Sequence, residues 1–153
     1  MSLRDIINYY EVDDRIASSG QPGREQFGAI AAAGYQAVIN LALPDSRGAL
    51  PDEGGVVSAL DMAYFHIPVN FETPRLEDLE LFFDLMRALE GKRIWVHCVM
   101  NYRVSCFLYL YRKHVLDLPD EQAVRPMREI WQPQGGWLAL IEAAERRFAG
   151  PGH

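Results

Sequence analysis

RIWVHCVMNYRVSCFLYL, residues 93–110, joins an apolar run to a cysteine, a short loop, an arginine and a second apolar run. Arg93 to His97 is apolar at its centre, which predicts a strand in the middle of a sheet, covered on both faces. Val104, Phe107, Leu108, Tyr111 and Val115 then recur at helical spacing, so the chain is expected to pass from the loop straight into a largely buried helix. Cys98 therefore stands at the carboxyl end of a strand and just ahead of a helix.

That placement has chemical consequences. A loop running into a helix turns several backbone N–H groups toward one point, and the helix adds about half a positive charge there, so the cup welcomes an anion. The same field favours a thiolate, and a cysteine so placed can titrate anywhere from about 3.5 to 7.5 instead of roughly 8.5. Arg103 on the rim would grip two oxygens of a phosphoryl group with its planar fork. Attack by the sulfur would form a thiophosphate, which water then releases as phosphate. The plain alternative is a small buried residue at a strand end, as free cysteines often are. His97 is expected to support its neighbour rather than react, and Cys106, within the apolar helix, to pack.

Outward from this unit, strands and helices alternate. Arg15 to Ser18 alternates like a strand, and Gly20, Pro22 and Gly23 turn the chain into EQFGAIAAAGY, a helix ending at Gly34. Ala37 to Leu41 and Tyr64 to Val69 read as further strands. Between them Pro44 to Gly55 reads as a long loop, followed by a short helix over Val56 to Leu60. Thr73 is expected to cap a helix with Pro74 at its first position and Leu76, Leu79, Phe83, Met86 and Leu89 on its buried face. Two last helices, Asp120 to Ile130 and Trp137 to Phe148, flank WQPQGG. Alternation of this kind predicts an α/β three-layer sandwich, a mostly parallel sheet flanked by helices, with ligands gathering at the carboxyl ends of the strands.

Composition limits the partners. With 15 Lys plus Arg against 21 Asp plus Glu, the net charge of −6 offers no general attraction for nucleic acid or an anionic membrane, so neither is expected as a partner. The N-terminal MSLRDIINYYEVDD lacks a basic start followed by an apolar core, no run is long enough to span a bilayer, and two cysteines make no disulfide framework. A cytoplasmic protein with reduced thiols is expected. No cofactor or metal is called for, and oligomeric state is not read from the sequence.

Four stretches carry a family likeness: SGQPGREQFGAIAAAGYQAVINL at 19–41, HIPVNFETP at 66–74, VHCVMNYRVSCF at 96–107, and W-x-P with a later tryptophan at 131–137. In these the chain resembles the bacterial phosphatase-like DUF442 family, the group of the phosphatase-like domain of β-lactamase hydrolase-like proteins, related to dual-specificity and tyrosine phosphatases. The resemblance covers most of the chain and implies one phosphatase-like domain over residues 1–153. It implies Cys98 as nucleophile, Arg103 as oxyanion ligand, and a phosphorylated protein or small phosphate ester as substrate. Val99, Met100, Asn101, Tyr102, Val104 and Ser105 would form the substrate-binding loop.

Two departures qualify what the resemblance implies. The phosphatase signature places one residue more between cysteine and arginine. Here four intervene, Val104 occupies the arginine's usual place, and Ser105 keeps that of the following hydroxyl. Asn101 replaces the usual central glycine, a change asparagine tolerates because it visits left-handed backbone readily. Four residues is also the loop size of rhodanese-type sulfurtransferases, so sulfur transfer competes with phosphate release. The general acid, an aspartate in related phosphatases, has Phe71 at its position, with Glu72 beside it as the stand-in. A weak phosphatase is the expected form, since losing a general acid costs about a hundredfold to ten-thousandfold; a non-catalytic oxyanion- or partner-binding module is the alternative. Gln132 is a candidate for positioning water. Arg47 and Glu53, in the long loop, are candidates for closing over the cup.

Overall fold

The computed structural model describes residues 2–148. Its strands are β1 (Tyr10–Glu11), β2 (Ile16–Ser19), β3 (Ala37–Asn40), β4 (Ala63–His66) and β5 (Ile94–His97). They form one sheet in the order β1-β2-β5-β3-β4, in which only the edge strand β1 is antiparallel. As its apolar run predicts, β5 lies in the middle. Its four residues are all buried, and register aligns Ser19, His97 and Asn40 across the carboxyl edge of three parallel strands.

Helices α1 (Arg24–Ala32), α2 (Glu53–Ala59), α3 (Leu76–Ala88), α4 (Tyr102–His114), α5 (Asp120–Ile130) and α6 (Gly136–Phe148) cover the sheet. Alternation along β5 sorts its side chains by face. Ile94 and Val96 join Ile16, Ala37 and Ile39 in one core with Phe82, Phe107 and Leu110 from α3 and α4. Trp95 points the other way, into a smaller core with Phe27, Ile30 and Val57 from α1 and α2. The result is the expected three-layer sandwich. Gly34 and Gly91 end α1 and the turn after α3 at φ values of 96° and 85°, where a side chain would be strained.

Two expectations are corrected. Residues 53–55 are not loop. Asp52 accepts a hydrogen bond from the Gly55 amide at 3.2 Å and starts α2 at Glu53, three residues before the expected Val56. Nor does Thr73 cap the next helix. Asn70 Oδ1 accepts from the amides of Glu72 and Thr73, forming a turn, and the helix begins only at Leu76 behind Arg75. The turn keeps residues 70–73 outside the helix, and Arg75, with extended backbone at φ −112° and ψ 144°, becomes the N-cap.

Candidate active site

The loop after β5 is built by neighbours distant in sequence. The Cys98 amide donates to Ser19 O at 3.3 Å, and the Gln21 amide donates to Val99 O at 2.9 Å. Gly20 lies between them, where an added Cβ would sit 2.3 Å from Val99 O, so only glycine permits this approach. Asn101 turns the chain at φ 69° and is fully buried. Its Nδ2 donates to Asn8 O at 2.8 Å and to Ser18 Oγ at 3.0 Å, while Asn8 Nδ2 donates to Met100 O at 2.9 Å. Side chains from the N-terminal segment and β2 thus hold the loop from outside.

Inside the loop the polar groups are left open. Among the described residues, the amides of Val99, Met100 and Asn101 have no hydrogen-bond partner, and no side chain caps α4. Cys98 is only 1% exposed, yet it lines a cavity of about 570 Å³ together with Leu43, Arg47, Phe71, Glu72 and Arg103. Arg103 leaves the second residue of α4 and reaches this cavity despite the short loop. Its Nη1 donates to Val69 O at 2.9 Å, and its Cζ lies 5.7 Å from the centre of the Phe71 ring. Among the described residues it has no carboxylate partner.

The structure divides the remaining candidates. Val99, Met100 and Tyr102 line the cavity with Cys98. Val104, in the arginine's usual place, is buried in the core instead, and Asn101 supports the loop from behind. Ser105 Oγ donates to Tyr102 O at 2.9 Å and accepts from Trp131 Nε1 at 3.0 Å, so its hydroxyl braces the loop. Gln132 does not reach the cavity; it is exposed and lines a separate depression with Val124, Met127 and Arg128. Phe71, at the missing aspartate's position, packs against Tyr102, Trp131 and Trp137, and Trp137 Nε1 donates to Phe71 O at 2.9 Å. Glu72 stands exposed at the cavity wall. Cys106 is fully buried in α4, where it packs among apolar neighbours and burial pushes its thiol far up.

One residue takes a place other than the one its loop position suggested. Glu53 does not close over the cup. It is buried on the other face of the sheet, with Oε2 2.6 Å from His97 Nε2 and Oε1 accepting from Gln21 Nε2 at 2.8 Å. The stretch around it is rich in prolines and glycines, and no local signal separates it from the exposed Asp45 and Asp52. Gln21, inside the family-like SGQPG stretch, was the available hint.

The chain is similar to solved phosphatase-like structures. It is 35% identical to a DUF442 protein from Shewanella putrefaciens CN-32, named for a phosphatase activity inferred for it. That match covers 95% of this chain and 96% of that one, with a TM-score of 0.85. PTPMT1 in complex with PI(5)P matches at TM-score 0.77 and 12% identity, over 92% of this chain and 96% of that one. P. aeruginosa TpbA in complex with pTyr matches at TM-score 0.66 and 13% identity, over 94% and 93%. These last two establish the fold alone. A scan of family models and a search of curated proteins return no match. Among the described residues, no helix is long and apolar enough to cross a membrane, and no cluster of three His, Cys, Asp or Glu could hold a metal ion.

Proposed function

The chain belongs to the DUF442 phosphatase-like family, and on that premise we propose that it is a cysteine-dependent phosphomonoesterase. The observation that carries this reading is the meeting of Cys98 and Arg103 in one cavity at an uncapped helix start. The open amides of Val99, Met100 and Asn101 and the Arg103 fork receive the phosphoryl oxygens and stabilise the charge that builds as the phosphorus is attacked. Cys98 Sγ forms the S–P bond as the ester O–P bond breaks, and Glu72 gives its proton to the departing alkoxide. Water, losing a proton to Glu72, then cleaves the S–P bond and frees inorganic phosphate.

Leu43, Phe71, Val99, Met100 and Tyr102 make most of the wall apolar, which suits an ester of an aromatic or lipid-like alcohol better than a small sugar phosphate. The PI(5)P and pTyr complexes of its structural neighbours fit a phosphate ester as the substrate class. Expression in the bacterial cytoplasm accords with two free thiols.

The test is release of phosphate from p-nitrophenyl phosphate. Slow turnover that disappears in Cys98→Ser is expected, with a mass increase on Cys98 when the reaction is quenched in acid. Wild-type turnover no faster than that of the variant rejects hydrolysis. The absent aspartate favours one second reading, oxyanion binding without turnover; phosphate that protects the fold against heat but is never produced would identify it. Persulfide formation on Cys98 after thiosulfate treatment, read by intact mass, would instead assign the four-residue loop to sulfur transfer.

A further inference from the structure

Resting on the reading of Cys98 as nucleophile, we propose that Glu53 is a positioning residue for it, acting through a doubly protonated His97 across the sheet. Alternation at the end of β5 sends Cys98 to the cavity and His97 to the opposite face, where it is fully buried with the Phe27 ring 5.9 Å away, edge-on. The two ring nitrogens of His97 meet two oxygens. Nδ1 lies 3.1 Å from the Cys98 carbonyl oxygen, and Nε2 lies 2.6 Å from Glu53 Oε2.

A carbonyl oxygen has no hydrogen to give, so Nδ1 must be the donor there. Nε2 then either donates to a carboxylate or accepts from a carboxylic acid. The surroundings of Glu53 decide between these. Gln21 Nε2 donates to its other oxygen, and the Tyr64 hydroxyl also bonds to it. Burial raises the Glu53 carboxyl, but the hydrogen bonds it receives outweigh burial and bring it below its ordinary value, and those from Gln21 and Tyr64 favour the ionised form whatever the state of the ring. Every donor favours the ionised carboxylate, so both ring nitrogens carry hydrogen and the pair is imidazolium with carboxylate.

The pair acts on the cup through peptide geometry. In a trans peptide the C=O and N–H point in opposite directions. Holding the Cys98 carbonyl toward His97 therefore sends the Val99 amide, which has no partner of its own, toward the cavity face. Gln21 serves twice: its side chain holds Glu53, and its backbone amide holds Val99 O, which orients the Met100 amide in the same manner. Glu53 thus fixes two successive donors of the cradle and keeps a positive ring behind the nucleophile.

The other titratable and charged groups near the pair have separate assignments. Tyr64, pushed up to about 12 chiefly by burial, stays a neutral donor. His66 is tilted against Tyr64 with Nε2 2.6 Å from Ala42 O, and Asp45 and Asp52 lie at the solvent side of the depression that Glu53 lines. On the Cys98 side stand Arg47, Glu72, Tyr102 and Arg103, none of which touches the pair.

Two measurements test the assignment without relying on turnover. In wild-type protein at pH 7, the His97 ring ¹⁵N shifts should report hydrogen on both nitrogens; a neutral ring overturns the proposal, whether or not any variant folds. In Glu53→Gln, which keeps the shape and loses the charge, the ring should become neutral. The pH of half-maximal iodoacetamide alkylation of Cys98, followed on its own peptide by mass spectrometry, should then rise by about one unit. A variant that melts like the wild type and alkylates with an unchanged pH profile also overturns it. A shifted profile in a protein that hydrolyses no phosphate ester would uphold the Glu53 assignment and reject the phosphatase reading, so the two fail separately.

Discussion

Arg103 is where the sequence pattern departs from the phosphatase signature and where the structure answers most directly. The short loop starts α4 at Tyr102, and from the next position the guanidinium enters the cavity and is braced by Val69 O, while Val104 turns into the core. Arg103→Lys keeps the charge and loses the planar fork, so turnover of an aryl phosphate should fall by roughly a hundredfold or more with little change in melting temperature. A variant with unchanged kcat would remove Arg103 from the reaction. Cys98 and Arg103, the proposed nucleophile and anion ligand, could be paired from the sequence because both are local to one motif, and their shared cavity follows from that closeness. Glu53 was not, because its partner lies 44 residues away and a buried ion pair leaves no periodic trace in a loop.

At the scale of elements, the cup is an agreement between β2, the turn after it and the loop after β5. Gly20→Ala would place a methyl group 2.3 Å from Val99 O and 3.0 Å from Ile7 Cγ2, backbone on one side and a side chain on the other. The strands cannot part without losing their pairing, so we expect a loss of about 1–3 kcal/mol in urea unfolding together with weaker phosphate binding. Asn101→Gly keeps the left-handed turn and loses two hydrogen bonds, about 1 kcal/mol each, whereas Asn101→Ala adds the strain of φ 69° and should be the less stable of the two by about 1–2 kcal/mol. Equal midpoints for these two variants would show that backbone strain is not what selects asparagine. The elements themselves were readable from periodicity and Gly/Pro punctuation. The errors fell at α2 and α3, where Asp52 and Asn70 make side-chain turns whose type depends on backbone geometry rather than composition.

For the whole molecule, acid is the informative stress. Glu53 sits below its ordinary 4.5 in the folded state, so its stabilising contribution is complete above that value and is lost as pH falls through the folded one. Asp120, lowered first by the Tyr109 hydroxyl and then by Lys113, acts in the same direction, though its half-exposed position weakens the effect. The urea midpoint should therefore decline from about pH 5 downward, and Glu53→Gln should flatten that decline; parallel curves would mean that acid unfolding starts elsewhere. Sheet order was within reach of sequence reasoning as a class, since alternating strands and helices imply parallel pairing, but the two-residue β1 is too short to announce itself. That N-terminal segment has a role out of proportion to its length. Asn8 is bonded to Met100 and Asn101, 92 and 93 positions downstream, so the outer wall of the cradle joins chain regions that meet only after β2 and β5 have paired. Contacts of such separation close late, because their loop entropy is recovered only when the intervening structure is in place. A nascent or partly denatured chain consequently lacks the cradle around residue 98, and the reactivity proposed for that cysteine requires completion of the native topology.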